Sequence, residues 1–295
     1  MLVRVTAGLI LAAGMGTRLR PLTEHVAKPL LPIGDRTVLA HVVAAMRACE
    51  VDPIAANAFF LADEVAQHAG ALGLLVSRED ELLGTAGGVR RAWPLLSREG
   101  VRPNLLVATG DVLTRTSFAQ LLTHPTVDAT LLVEPRACGE GNVGLDRDGF
   151  VVRLRNEPLR PGEVSGGFSL GVQCLAPSMW EHLPSKGCLV TDLYMPLIRN
   201  GARVLACETA AHWIDVGTLA SYLAANLDWL DTRLSWVGVH AAISGTTLDQ
   251  VVVGEGARLA PGAYRRCVVL PGARVKEPGE NRVYWDDTFV DVVHA

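Results

Sequence analysis

The chain has 295 residues, 49% of them hydrophobic, a net charge of −4 and a pI of about 6.1. That length and apolar share allow one large domain or two modest ones. The acidic balance argues against a nucleic-acid partner, which asks for a basic face, and no apolar run approaches the roughly 20 residues of a membrane span. The six cysteines, Cys49, Cys138, Cys174, Cys188, Cys207 and Cys267, include no C-x-x-C spacing. Neither a zinc site nor a disulfide framework is expected, and the chain reads as a soluble, cytoplasmic protein.

Strand-like and helix-like segments alternate from the start to about residue 235. The opening "MLVRVTAGLILAAG" could suggest a leader, but only Arg4 precedes a short apolar run. The reading is a buried strand over "GLILAA". In "TVLAHVVAAMRACE", Val38, Leu39, Val42, Val43 and Met46 share one helical face, with Asp35 or Thr37 as the cap. "DPIAANAFF" predicts a strand, "LADEVAQHAGAL" a helix and "LGLLVSRE" a strand. "GGVRRAWPLL" predicts a helix interrupted near Pro94. "NLLVATGD" is a strand running into an acidic residue, "SFAQLLTHP" is helical and "DATLLVEP" is a further strand. Between about 140 and 175, Gly and Asp turns predict hairpins forming a lid or side wall. "HWIDVGTLASYLAANLDWL" ends in a helix. Beyond residue 236, Val253, Leu259, Tyr264 and Leu270 recur every five or six residues beside small residues. That periodicity predicts a short left-handed β-helix of hexapeptide type, the alternative being a Gly-rich loop with two strands. The fold class is therefore α/β: a Rossmann-like mixed, mainly parallel sheet flanked by helices over 1–235, and a hexapeptide-like β segment over 236–295.

One stretch carries most of the chemistry: "LILAAGMGTRLRPLTEHVAKPLLPIG". A strand followed by Gly14 and Gly16 lets backbone amides approach phosphate oxygens. Arg18 and Arg20 add charge-assisted contacts. The dinucleotide pattern G-x-G-x-x-G fails at Leu19, and the P-loop pattern fails because Thr17-Arg18 follows Gly16. A bare tight turn is the alternative.

The stretch "LAAGMGTRLRPLT…AKPLLPIG" resembles the signature of the sugar-1-phosphate nucleotidyltransferases, or NDP-sugar pyrophosphorylases. "ELLGTAGGVRRA", "LVATGDVL", "GGFSLGVQCL" and "HWIDVGTLASYLAAN" resemble further segments of that family in the same order. The likeness covers roughly residues 5–230, and mannose-1-phosphate guanylyltransferases fit slightly better than uridylyl- or thymidylyltransferases. It implies transfer of a nucleotidyl group from a nucleoside triphosphate to a sugar 1-phosphate, with Mg²⁺ as cofactor. It also implies roles. Arg18, Lys28, Asp111 and Asp215 would be catalytic, and Asp111 and Asp215 would hold the metal. Ala13, Gly14, Gly16, Thr17, Gly84 and Thr85 would contact the nucleotide. Gly144, Glu157 and Gly167 would line the sugar side.

There are simpler readings beside these. Asp111 could cap the turn after its strand, and Asp215 could be the N-cap of the following helix. Trp213 reads as a packing residue, and Gly87 and Gly88 as positions of close packing. One departure stands out. Where many relatives carry Glu-Lys-Pro, this chain has Asn156-Glu157-Pro158, so the lysine position holds a carboxylate. Arg153 or Arg155 could replace it if strand alternation points one inward. A silent nucleotide-binding relative and an α/β hydride-transfer enzyme are the rival functions. A β-helix edge over residues 250–290 would ask for cover, so a homo-oligomer is expected.

Overall fold

The structure, a computed structural model, describes residues 6–97 and 102–293. Of the stretch where leader and strand compete, residues 1–5 lie outside the described part and Thr6–Leu11 is a strand. In chain order the main elements are β1 (Thr6–Leu11), α1 (Val38–Arg47), β2 (Ile54–Ala58), α2 (Ala62–Ala71), β3 (Leu75–Arg78), α3 (Gly84–Leu96) and β4 (Asn104–Thr109). There follow β5 (Ala129–Arg136), β6 (Val143–Leu145), β7 (Val151–Leu154), β8 (Ser165–Leu175), α4 (Met195–Arg199), β9 (Val204–Glu208) and α5 (Leu219–Leu230). The five apolar residues of α1 predicted to share a face are all buried. Its cap is Thr37, whose Oγ1 accepts from the Ala40 N–H at 3.2 Å.

Three expectations change. Helix α3 starts at Gly84 and runs through Pro94 to Leu96. Proline lacks one N–H and so removes a single bond, which is tolerable in a last turn that faces solvent. Phe118–Leu122 forms a 3₁₀ turn capped by Ser117, not an α-helix. Too few residues separate that cap from Pro125 to propagate one. The hairpins of 140–175 are no separate lid: β6, β7 and β8 extend the central sheet.

Contacts divide the chain into two compact units, Met1–Gly14 with Val42–Trp213, and Met15–His41 with Ile214–Ala295. The first holds a ten-stranded mixed sheet. Its path runs β7-β6-β8-β4-β1-β2-β3, with Glu157–Pro158 outside β7, and β5 and β9 reached through β8. Strands β4, β1, β2 and β3 are mutually parallel, with Gly8 opposite both Ile54 and Leu106. Strand β8 joins β4 antiparallel. Helices cover the sheet, so β1 and β2 can be largely apolar, and every residue of β2, Asn57 included, is buried. Trp93 of α3 is fully buried in a core that includes Leu9, Val107 and Tyr194. This is the expected α/β class.

The second unit joins the signature segment, α5 and the C-terminal strands. These are β10 (Ser235–Val237), β11 (Thr246–Val253), β12 (Arg258–Leu259), β13 (Gly262–Val269), β14 (Arg274–Val275), β15 (Glu280–Trp285) and β16 (Thr288–Asp291). Strands β10, β11, β13 and β15 stack in parallel, β16 closes the sheet antiparallel, and β12 pairs with β14 apart from it. Thr246 lies opposite Gly262 and Arg258 opposite Arg274, a sixteen-residue step that brings the chain back over itself. Gln250, Arg266 and Asn281, at φ 54°, 49° and 55°, make a stacked corner, and Arg266 Nε donates to Asn281 Oδ1 at 3.0 Å. Val253, Leu259, Tyr264 and Leu270, the periodic apolar residues, are all buried. Helix α5 lies against these coils and also grips the signature segment. The Tyr222 hydroxyl donates to the Pro32 carbonyl at 2.9 Å, and the Gly34 N–H donates to Asn226 Oδ1 at 3.0 Å. Gly34, at φ 61°, lies against the Trp229 ring with no room for a Cβ.

Candidate active site

In the first unit the site begins where β1 ends. The Ala12 N–H donates to Asn57 Oδ1 at 2.6 Å, and Asn57 Nδ2 donates to Glu79 Oε1 at 2.7 Å. Glu79 Oε2 in turn accepts the Leu83 N–H at 3.1 Å, just before α3. Asn57 and Glu79 are 2% and 6% exposed, so this relay ties the end of β1 to the start of α3 through buried groups. A Cβ on Gly88 would stand 2.7 Å from Asn57 Nδ2, which is why the helix carries glycine there. A Cβ on Gly87 would likewise meet the Ser185 carbonyl at 2.6 Å, as the close-packing reading expects. Neither Asn57 nor Glu79 was singled out from sequence. The available signal was a lone amide inside the buried run "IAANAFF".

Ala13 is buried and Gly14 faces open space, with no atom within 4 Å of where its Cβ would be. At the start of α3, Gly84 has φ 74° and lies against the Gly187 carbonyl. Thr85 Oγ1 accepts the Leu189 N–H at 2.8 Å, and the Gly187 carbonyl accepts the Ala86 N–H at 2.9 Å. The side chain of Thr85 thus anchors the segment 187–189. It also acts on Cys188. Burial raises that thiol's pKa, but N–H groups of Thr191 and Val190 and hydroxyls of Thr85 and Thr191 donate to the sulfur and bring it below 9.0.

Asp111 is half-buried in the turn after β4. The Gly110 N–H donates to the Leu11 carbonyl at 2.9 Å, and a Cβ on Gly110 would meet that same oxygen at 2.9 Å. Glycine there lets the ends of β1 and β4 close together, one residue before Asp111. Gly167, expected from the resemblance on the sugar side, lies in β8, bridged to Gly141. Gly144 lies in β6 against the Glu163 carboxylate and the Arg153 side chain. Glu157 is exposed and pairs with Arg199. Beside this region Trp213 stacks on Phe168, ring centroids 5.5 Å apart at 21°, and Trp213 Nε1 donates to Glu134 Oε2 at 3.1 Å. That bond, with help from Arg136, holds the Glu134 carboxyl below its ordinary pKa although partial burial opposes it.

In the second unit Gly16, at φ 63°, opens the 3₁₀ turn Thr17–Leu19. Its carbonyl accepts the Thr23 hydroxyl at 2.8 Å, and a Cβ on it would stand 3.2 Å from that of Lys28. Lys28 opens another 3₁₀ turn, Lys28–Leu30, with Pro29 buried beneath it. The signature therefore folds back so that its glycine and its lysine are neighbours. Arg18 Nη2 lies 3.9 Å from Asp215 Oδ2, both side chains largely exposed. An exposed pair at that distance adds about 0–1 kcal/mol to stability, so fold stability does not explain it. Asp215 is not the helix cap. Thr218 is, with Ser221 completing a capping box.

A family model described as nucleotidyl transferase matches residues 7–232. "Probable mannose-1-phosphate guanylyltransferase 1" of Oryza sativa subsp. japonica is 26% identical over 301 residues, covering 91% of this chain and 82% of the relative. The glucose-1-phosphate thymidylyltransferase of Streptomyces antibioticus is 31% identical over 270 residues, covering 85% and 74%. HddC from Yersinia pseudotuberculosis, crystallised with GMP-PN, superposes with a TM-score of 0.62 at 20% identity, covering 76% of this chain and 99% of that one. At that identity it shares the fold. Glycines and basic residues after a parallel strand, an aspartate closing the neighbouring strand and a match over most of the length lead to one conclusion: the chain belongs to the nucleotidyl transferase family.

Proposed function

We propose that the chain transfers a nucleotidyl group from a nucleoside triphosphate to a sugar 1-phosphate, releasing pyrophosphate, with GTP and mannose 1-phosphate as its substrates. The carrying observation is the signature segment. Its glycine and lysine are brought together by the fold within a chain that matches the family from residue 7 to 232. Three relatives from Oryza sativa subsp. japonica, each 26% identical, are described as probable mannose-1-phosphate guanylyltransferases, which supports the choice of substrates. The 31% identity to a thymidylyltransferase favours a second reading, dTTP with glucose 1-phosphate.

The reaction is an attack by one phosphate oxygen on another phosphorus, and both partners are anions. The sugar phosphate is ionised at pH 7, so alignment and charge matter more than a general base. Backbone amides of Ala13, Gly14, Gly16 and Thr17 would receive the triphosphate. Arg18 and Lys28 would hold the triphosphate and the leaving pyrophosphate. Gly84 and Thr85 would lie along the nucleotide, and Gly144, Glu157 and Gly167 along the sugar.

Asp111 and Asp215 are the proposed metal ligands. Among the described residues no cluster of three or more His, Cys, Asp or Glu side chains could hold an ion. A pair of hard carboxylates fits Mg²⁺, which takes the rest of its shell from water and phosphate. When bound, Mg²⁺ supplies charge neutralisation and Lewis acidity at the phosphates. Residues 1–235 would form the catalytic domain, in keeping with a family match that ends at 232, and 236–295 a hexapeptide-type β-helix that supports a homo-oligomer. No described helix is long and apolar enough to cross a membrane.

The experiment is product formation from GTP with mannose 1-phosphate and from dTTP with glucose 1-phosphate, each with Mg²⁺, read by mass spectrometry. GDP-mannose as the dominant product supports the first reading. dTDP-glucose alone replaces it with the second.

A further inference from the structure

We propose that Arg155 binds the phosphate of the sugar 1-phosphate. This rests on the nucleotidyltransferase reading above, because it is that reaction which brings a second anion into the site. An anion arriving beside a triphosphate needs its own cation, and the sequence leaves Arg153 and Arg155 as candidates.

Arg153 is fully committed. Its side chain is 10% exposed. Nε donates to both Glu163 carboxylate oxygens at 2.9 and 3.2 Å, and Nη2 donates to Glu163 Oε1 at 3.0 Å. The remaining donors reach the carbonyls of Glu140, Gly141, Val143 and Arg155 at 2.7 to 3.3 Å. Nothing is left for a ligand, and withdrawing the group would strand the Glu163 carboxylate.

Arg155 is the opposite case. It is exposed, and among the described residues its guanidinium has no carboxylate partner. The contact it makes is with the Cys188 sulfur, 3.9 Å from Nη2. Its backbone, by contrast, is fixed. At φ 55° it occupies the left-handed region, uncommon for a residue with a Cβ. Its N–H donates to the Asn142 carbonyl at 2.7 Å, and its own carbonyl accepts from Arg153 Nη1 at 2.7 Å. The Asn142 side chain accepts the Ser169 N–H at 2.8 Å, tying this turn to β8 two residues after Gly167. Arg153 thus holds the turn from which Arg155 projects, and a strained, clamped backbone under an exposed charged tip is the arrangement of a ligand contact.

The direction fits too. Cys188 is anchored to Thr85 at the start of α3, so the Arg155 guanidinium reaches from the sugar-side turn towards the nucleotide-side helix. Several N–H and O–H donors already converge on that sulfur, and the same convergence suits phosphate oxygens. Glu157, at the position where the signature resemblance led one to expect a cation, is engaged by Arg199.

The test compares wild type with Arg155→Ala and Arg155→Lys. Alanine carries the same Cβ and adds no backbone strain at this φ. With whichever substrate pair turns over, Arg155→Ala should raise KM for the sugar 1-phosphate about 10–100-fold, the scale of one charge-assisted hydrogen-bonded contact. KM for the triphosphate should stay within about twofold, and Arg155→Lys should recover part of the loss. An unchanged sugar-phosphate KM, or both KM values rising together, overturns the proposal. Should wild type turn over nothing, the reaction class is wrong, and binding is then read directly by alkylation of Cys188 followed by peptide mass spectrometry. Mannose 1-phosphate or glucose 1-phosphate slowing that alkylation in wild type but not in Arg155→Ala supports the contact. No slowing in wild type overturns it.

Discussion

Asn57→Asp is the sharpest probe of how the site is held. The change is nearly isosteric. It keeps the oxygen that accepts the Ala12 N–H at 2.6 Å, but replaces the Nδ2 that donates to Glu79 at 2.7 Å with a second carboxylate oxygen. Asn57 is 2% exposed and Glu79 6%, so neither charge can turn to water. Two carboxylates in contact cannot both ionise, and one pKa must rise. At pH 8 the cost is that of an uncompensated buried charge, about 3–5 kcal/mol. For a chain of this size that lowers Tm by roughly 5–8 °C. The sign follows from linkage. A group whose folded pKa lies above its unfolded value contributes fully below the unfolded value, and that contribution is lost as pH rises through the folded one. The deficit against wild type should therefore shrink steadily as pH falls from 8 towards 5. The assay is differential scanning calorimetry of both proteins at each pH. A Tm difference that is flat across that range, or under about 2 °C at pH 8, would refute the buried relay.

Other expectations follow from neighbouring contacts. Glu163→Gln removes the carboxylate that Arg153 clasps, leaving a nearly buried guanidinium without its countercharge, and should cost about 3 kcal/mol in urea unfolding at pH 7. Arg153, first through its hydrogen bonds, holds the Glu163 carboxyl below its ordinary 4.5 against partial burial. That stabilisation is present above pH 4.5 and lost as pH falls through the lowered folded value, so wild type and variant should converge in acid; parallel curves would contradict this. Thr218→Ala removes an N-cap with its capping box and should cost about 1 kcal/mol, measured by the same unfolding, with no change expected if Asp215 were the true cap.

Much of the fold was legible in the sequence because its patterns are local. Apolar runs marked β1, β2 and β4, and Val38, Leu39, Val42, Val43 and Met46 marked the buried face of α1. The five- and six-residue apolar recurrence marked Val253, Leu259, Tyr264 and Leu270 as buried positions of the C-terminal strands. What could not be read were partnerships set by tertiary approach. Asn57 meets Glu79 across 22 residues and Ala12 across 45. Arg153 and Glu163 are ten residues apart and meet over Gly144 of β6, the strand between β7 and β8. From sequence, Arg153 and Arg155 were equal candidates for one task. The buried carboxylate that commits Arg153 separates them. Pro94 misled for a related reason: propensity marks a breaker, but position in the last turn decides what it breaks.

Nucleotidyl transfer can be followed by phosphorus-31 NMR of the reaction itself. Wild type, Asp111→Asn and Asp215→Asn would each be given Mg²⁺, a nucleoside triphosphate and a sugar 1-phosphate, across a matrix of both substrates. With wild type, one combination should yield pyrophosphate and the nucleoside diphosphate sugar in equal amounts. Both signals should be missing in the two variants, while the triphosphate still raises their melting temperature. Inorganic phosphate in place of pyrophosphate, or triphosphate binding with no product anywhere in the matrix, would contradict it.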